Sequence, residues 1–175
     1  MGLFGSADKK KKQASTRVPV SKKAKPVRVS DYLSERSVQF FPAGIAKEEV
    51  FKQLLQSLDL PDPAAALQMV LEREVAGATV IAPGLAIPHA RLAGIPHVMA
   101  AVGICPAGVA HSAEEQPSQV FFLFLSPKEN MQEHLMFLAG ISALFQVEGL
   151  IETLVKQQTP AGVLQAIREA EGVSA

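Results

Sequence analysis

The sequence of 175 residues contains one cysteine, one tyrosine and no tryptophan. A single cysteine excludes an internal disulfide, a cysteine-paired zinc ribbon and a CxxC redox motif. A disulfide-stapled scaffold is therefore excluded, and the chain suits a reducing compartment. Because Cys105 lies in an apolar run, we expect it to be a buried packing residue rather than a reactive thiol.

Long hydrophobic runs are also missing. No apolar stretch reaches the ~18 residues of a membrane-spanning helix, and the first residues lack the apolar region of a secretory signal. We therefore expect a cytoplasmic protein without an integral membrane segment. The hydrophobic share of 48% is enough to fill one core, and the length favours a single domain.

The formal net charge of zero hides a division along the chain. Residues 1–28 carry nine basic residues and one acidic residue, a net charge of +8, which leaves 8 basic and 16 acidic residues and a net −8 for the remainder. The basic segment shows neither helical nor strand periodicity, so we expect a disordered tail at 1–28 and one domain at 29–172. The tail has the charge to contact anionic surfaces, but a solvated arm is the simpler interpretation. We expect no nucleic-acid partner for the acidic core.

Helical periodicity recurs on both sides of a central apolar region. Residues 46–58 form one amphipathic pattern, and Asp62-Pro63 predicts an N-cap and first turn of a helix that runs to about Glu74. Further helices are predicted at 131–145 and 147–156, and a last one begins at Thr159-Pro160 and ends near Glu171.

The strands are predicted from short β-branched and apolar runs at 78–82, 97–105 and 119–125. Runs this uniformly apolar are typical of strands buried on both faces, so helices must cover both sides of the sheet. The expected fold class is α/β, with a mixed central β-sheet sandwiched between helices.

Histidine is the side chain best suited to nucleophilic chemistry at neutral pH. The chain has four: His89, His97, His111 and His134. No two of them are spaced i,i+4 and no cysteine accompanies them, so we expect no metal site. We expect no cofactor either. His89 ends the segment 83–89, in which a glycine and two prolines fix the backbone. Such a rigidly held imidazole suits a nucleophile. From these residues alone, a histidine that only ends a strand and binds a neighbour remains the simpler alternative.

The segment Gly84-Leu85-Ala86-Ile87-Pro88-His89-Ala90 resembles the phosphorylation motif of the type-2 enzyme IIA family of the bacterial phosphotransferase system (fructose, mannitol and nitrogen-regulatory members). Leu71-Glu72-Arg73-Glu74 is similar to the Arg-Glu stretch of that family, and Glu133-His134-Leu135 to the start of its His-Leu helix. The resemblance runs in order from about residue 29 to 171. It implies the enzyme IIA fold.

The resemblance implies a role for three residues. His89 matches the phosphorylated histidine, His134 the second active-site histidine and Arg73 the active-site arginine. His134 lies near a helix start, which is either Asn130 or the capping box Ser126-Pro127-Lys128-Glu129. By pattern alone, His134 could instead lie on the exposed side of a helix whose apolar stripe contains Leu135, and Arg73 could be a surface ion-pair residue.

The function that the resemblance implies is phosphotransferase activity as a phosphohistidine carrier. Phospho-HPr donates to His89, which passes the group to the cysteine of a separate enzyme IIB during sugar uptake. The alternative is a nitrogen-branch regulatory protein whose His89 phosphorylation state controls partner binding. His97 and His111 have no counterpart role, and we expect them to be structural or solvent-exposed.

Overall fold

The computed structural model describes residues 27–77, 79–110 and 116–172. Two 3-10 turns, Val29–Tyr32 and Glu35–Ser37, precede the regular elements. The strands and helices in chain order are β1 (Val38–Phe40), α1 (Lys47–Gln56), α2 (Pro63–Val75), β2 (Val80–Ala82), β3 (Leu85–Ala86), β4 (His89–Leu92), β5 (Met99–Val109), β6 (Ser118–Pro127), α3 (Met131–Leu144), α4 (Leu150–Val155) and α5 (Pro160–Ala170).

The sheet is mixed and centred on β6. The strand order is β1-β5-β6-β3-β2, and β4 also pairs with β6. β6 runs antiparallel to β5 but parallel to β3 and β4. The predicted fold class, a mixed central sheet between helices, is confirmed.

Side chains of β6 alternate between two hydrophobic cores. Val120, Phe122 and Phe124 point into the core made with α3, α4 and α5, whereas Phe121 and Leu123 point into the core made with α1 and α2. This period of two, with every one of these residues fully buried, is what a strand covered on both faces requires. The buried position expected for Cys105 is also confirmed.

The helix ends follow local capping chemistry. Asp62 accepts the amide of Ala65 at 3.0 Å and begins α2. Thr159 does the same for α5. The helix predicted at 147–156 is shorter, because Gly149 adopts a φ of +75° at its N-cap. A residue in the left-handed region cannot lie inside a right-handed helix.

The strand predictions need two corrections. β2 is not buried on both faces: it lies at an end of the strand order and the Ile81 side chain is 54% exposed. β5 begins at Met99 rather than at His97 and extends beyond Cys105 to Val109, with an irregular register after Ile104. β1, β3 and β4 are too short to show a periodicity and were not among the predicted strands.

The start of the domain is fixed by long-range contacts. A Cβ placed on Gly140 of α3 would lie 2.7 Å from the carbonyl oxygen of Val27, so this glycine permits the N-terminal segment to cross the helix closely. The carboxylate of Glu171 accepts hydrogen bonds from the amides of Val29 and Ser30. Residues 1–26 of the predicted tail lie outside the described residues.

Candidate functional site

The strand that carries His89 is interrupted by a proline. β3 and β4 pair with β6 in one continuous register, with Leu85 opposite Val120 and His89 opposite Phe124. Pro88 has no amide hydrogen to donate, but its carbonyl oxygen still accepts the amide of Phe124 at 3.0 Å. β3 and β4 therefore behave as one strand with a rigid break just before His89.

His89 is held on two sides. Its Nδ1 lies 2.8 Å from the carbonyl oxygen of Ile87, and its ring stacks on Phe124 with centroids 5.2 Å apart and planes 13° apart. A carbonyl oxygen can only accept, so Nδ1 carries the hydrogen in this contact and Nε2 of the neutral ring keeps its lone pair. This tautomer presents Nε2 as a nucleophile.

The protonation of His89 is biased toward the neutral form. Burial lowers the pKa of His89, and the nearby positive charge of Arg73 lowers it further, while the Ile87 carbonyl and the negative charge of Glu74 act in the opposite direction. Burial dominates because removing an imidazolium from water is costly. The unprotonated ring is the form that can attack phosphorus.

His134 reaches the same place from α3. The side chain of Asn130 accepts the amide of Glu133 at 3.1 Å and begins the helix. Of the two starts considered, Asn130 is therefore the N-cap, and Ser126 belongs to β6. The ring of His134 lies 5.6 Å from that of His89, measured between centroids.

The buried stripe of α3 is not the one expected. Leu135 is 56% exposed, whereas His134 is 8% exposed and shares the buried face with Phe137 and Ile141. Apolar residues occur all round this helix, so periodicity alone could not choose the buried face. Leu135 therefore does not belong to the buried stripe as expected, and the alternative that placed His134 on the exposed side is wrong.

The pKa of His134 is lowered. Burial is the main cause, and the neighbouring His89 and the positive charges of Arg91 and Arg73 lower the pKa further.

The ring of His134 also has two contacts on β6. The Nδ1 atom of His134 lies 2.8 Å from the hydroxyl oxygen of Ser126. The ring of His134 also contacts Phe124, with centroids 5.4 Å apart.

Arg73 lies in the last turn of α2 and is exposed. Its Nη1 donates to the carbonyl oxygen of Gly77 at 3.0 Å, an interaction typical of a basic residue at a helix C-terminus. Its positive charge adds to the lowering of the pKa of both histidines, although burial is the larger cause in each case. The structure thus brings His89 and His134 into one site and sets Arg73 at its exposed edge.

A buried carboxylate supports the loop beneath the site. Glu74 accepts from both the amide of Thr79, at 3.2 Å, and its hydroxyl, at 2.7 Å, and it pairs with Lys47 at 3.2 Å. The carbonyl oxygen of Thr79 accepts the amide of Ile87 at 2.9 Å. Since Ile87 in turn holds His89, a chain of hydrogen bonds links Glu74 to the imidazole.

Arg91 was not among the predicted site residues. It lies two residues after His89 on β4 and so shares the face of that strand. The guanidinium donates to the carbonyl oxygen of Lys128, and its Nε is buried without a hydrogen-bond partner among the described residues. The period of two from His89 is the signal that could have found it.

The remaining histidines lie elsewhere. His97 is exposed just before β5, and His111 lies outside the described residues. Within 27–77, 79–110 and 116–172, no group of three or more potential ligands could hold a metal ion. No helix in the same ranges is long and apolar enough to cross a bilayer.

The family comparison covers most of the chain. A family model described as phosphoenolpyruvate-dependent sugar phosphotransferase system, EIIA 2, matches residues 31–170. The chain belongs to this family. Among curated relatives, a nitrogen regulatory protein of Pseudomonas aeruginosa is 29% identical over 141 residues, which cover 78% of this chain and 91% of that protein.

Relatives named for a sugar are similar to the chain as well. A fructose-specific EIIABC component of Bacillus subtilis is 25% identical over 82% of this chain, which spans only 23% of that longer protein. Solved structures of the same fold include nitrogen regulatory protein IIA-Ntr from Neisseria meningitidis, with a TM-score of 0.71, 23% identity and coverage of 79% of this chain and 98% of that one. The similar proteins thus include some named for a sugar and some named for nitrogen regulation.

Proposed function

We propose that this member of the EIIA 2 family is a phosphohistidine carrier that accepts a phosphoryl group on Nε2 of His89. The observation that carries the proposal is the geometry of His89, whose Nδ1 faces the Ile87 carbonyl at 2.8 Å. That contact leaves the Nε2 lone pair available, and Arg73, Arg91 and His134 provide positive charge and hydrogen-bond donors nearby.

The step is an exchange between two imidazoles. The Nε2 lone pair of His89 attacks phosphorus, and the P–N bond of phospho-HPr breaks with its electron pair returning to the donor imidazole. The phosphorylated ring of His89 keeps its Nδ1 hydrogen and becomes a cation, which the Ile87 carbonyl stabilises. Phosphoryl transfer requires positioning and charge stabilisation more than covalent help from the protein.

The onward step forms a P–S bond. A cysteine thiolate of an enzyme IIB attacks phosphorus, and the P–N bond to His89 breaks. A complex of the mannitol-specific IIA with phosphorylated IIB from Escherichia coli has the same fold on its IIA side, with a TM-score of 0.63 and 19% identity. Exposed apolar side chains of Met131 and Leu135 lie on α3 beside His134 and suit contact with a protein partner.

A regulatory role is the second candidate. The similarity to the Pseudomonas nitrogen regulatory protein extends over 91% of that protein. In this version, the phosphoryl group on His89 changes the charge of the site and thereby the affinity for a regulated partner. A rate of transfer to IIB near the uncatalysed background, together with efficient phosphorylation by phospho-HPr, would favour regulation over transport.

The test is phosphorylation in a reconstituted system. The full chain is incubated with labelled phosphoenolpyruvate, enzyme I and HPr, and we expect an acid-labile, base-stable label. His89→Ala abolishes the label, whereas the control His97→Ala, at an exposed histidine outside the site, retains it. Label retained by His89→Ala would overturn the proposal.

A further inference from the structure

Ser126 is fully buried on β6, directly opposite Arg91 of β4 in the sheet register. Its hydroxyl oxygen lies 2.8 Å from Nδ1 of His134. Phe124, two residues earlier on the same face, contacts the same ring at 5.4 Å. Ser126 and Phe124 together fix the orientation of the His134 imidazole.

The hydroxyl also influences which nitrogen of His134 carries the hydrogen. Burial and the charges of Arg91 and Arg73 favour a neutral ring. A neutral imidazole has one donor and one acceptor nitrogen, so the role of Nδ1 dictates the opposite role for Nε2. A hydroxyl can donate or accept by rotating about its C–O bond, whereas a carbonyl can only accept.

We propose that Ser126 is a positioning residue whose hydroxyl donates to Nδ1 of His134 and thereby makes Nε2–H of His134 a hydrogen-bond donor toward a phosphoryl group on His89. The inference deepens the proposed function and rests on it. Ser126 itself does not touch the phosphoryl group. The hydroxyl hydrogen points to Nδ1, and no proton is transferred.

The two site histidines are then held in opposite tautomers. The Ile87 carbonyl keeps the hydrogen of His89 on Nδ1 and leaves Nε2 bare for attack. The Ser126 hydroxyl keeps the hydrogen of His134 on Nε2 and leaves Nδ1 bare. With the reverse tautomer, His134 would present a lone pair to the phosphoryl oxygens and repel them. One ring therefore serves as the nucleophile and the adjacent ring as a neutral donor.

The first test needs no phosphoryl transfer. Long-range proton–nitrogen NMR of the unphosphorylated full chain at pH 7.5 distinguishes protonated from unprotonated imidazole nitrogens. We expect His134 with an unprotonated Nδ1 and a protonated Nε2, and His89 with the reverse pattern. An equal or predominant population of Nδ1–H in His134 would overturn the inference, whether or not His89 proves to be the phosphoryl acceptor.

The second test uses Ser126→Ala and the hydroxyl-retaining Ser126→Thr. We expect Ser126→Ala to shift His134 toward the other tautomer and to slow transfer from phospho-HPr to His89 about threefold to tenfold, and Ser126→Thr to retain the wild-type tautomer. In a His134→Ala background, Ser126→Ala should cause no further loss. An equal loss of transfer rate in both backgrounds, or no loss in the wild-type background, would overturn the inference. Failure of the wild-type chain to be phosphorylated would instead count against the proposed function.

Discussion

The ring centroids of His89 and His134 lie 5.6 Å apart, and both rings contact the ring of Phe124. The first ring is held by a strand and the second by a helix, so their separation depends on how α3 packs on the sheet. Phe124 and Phe137, with ring centroids 5.0 Å apart, form part of that packing. The site is therefore a product of the core and not of one loop.

Replacing His134 should slow phosphoryl transfer without unfolding the domain. We expect His134→Ala to remain folded and still accept a label on His89, but to transfer it more slowly, with a loss of about 1–3 kcal/mol of transition-state stabilisation. The reason is the loss of a donor close to the phosphoryl oxygens. Rapid-quench kinetics of transfer to IIB provides the measurement.

Ser142→Ala is the matched control for this variant. Ser142 lies on the same helix, exposed and two turns from His134, and its replacement should leave the rates unchanged. Wild-type rates in His134→Ala, both from HPr and toward IIB, would contradict a role for His134 in transfer.

Both histidines should become protonated at a lower pH than an ordinary histidine does. Burial lowers both pKa values below the ordinary 6.5, so NMR titration of the unphosphorylated chain should give midpoints below 6.5. The unfolded chain binds these protons at a higher pH than the folded chain. The stability contributed by the neutral rings is therefore present above about pH 6.5 and lost as the pH falls through the folded pKa values. Midpoints at or above 6.5 would contradict the burial argument.

The carboxylate of Glu74 should matter more to stability than its exposed neighbour. Glu74→Gln weakens the acceptor for Thr79 and the ion pair with Lys47, and we expect a loss of about 1–3 kcal/mol in the free energy of unfolding. Glu72→Gln, exposed on the same helix, should change it by less than about 0.5 kcal/mol. Chemical denaturation compares the two, and an equal effect would mean that the buried network is not stabilising.

The parts of the fold that could be predicted from the sequence are those set by local interactions. Capping residues such as Asp62 and Thr159 act through bonds within one turn, so the sequence alone places α2 and α5. The face of α3 was predicted wrongly at Leu135, because tertiary packing chose among apolar residues on all sides. β4 has four residues, and its pairing with β6 is a long-range contact that no local pattern contains.

For the site, too, the sequence predicted residues but not the contacts between distant parts of the chain. His89, Arg73 and His134 were predicted through the family resemblance, and the structure shows which neighbours hold each of them. Ser126 was considered only as part of a capping box, because its contact with His134 depends on where β6 ends relative to α3. Arg91 was missed although its spacing from His89 on one strand was visible in the sequence.

The basic segment should be dispensable for fold and for transfer. We propose deleting residues 1–26 rather than 1–28, because the carbonyl of Val27 packs closely against Gly140. The melting temperature should not change, and phosphorylation by HPr at low salt should be equal or faster, since a segment with a net charge of +7 can compete for the acidic domain with a basic partner. Salt at 0.15 M screens such contacts beyond about 8 Å, so any gain should disappear there. A large loss of stability or transfer would show that the segment belongs to the working domain.

The identity of the phosphorylated atom decides whether His89 is the acceptor. The chain is phosphorylated through enzyme I and HPr, and NMR that correlates phosphorus with imidazole nitrogens assigns the new P–N bond. We expect a single phosphohistidine with phosphorus on Nε2 of His89 and with the hydrogen retained on Nδ1, facing the Ile87 carbonyl. Phosphorus on Nδ1 of His89, on His134 or on any other residue would contradict it.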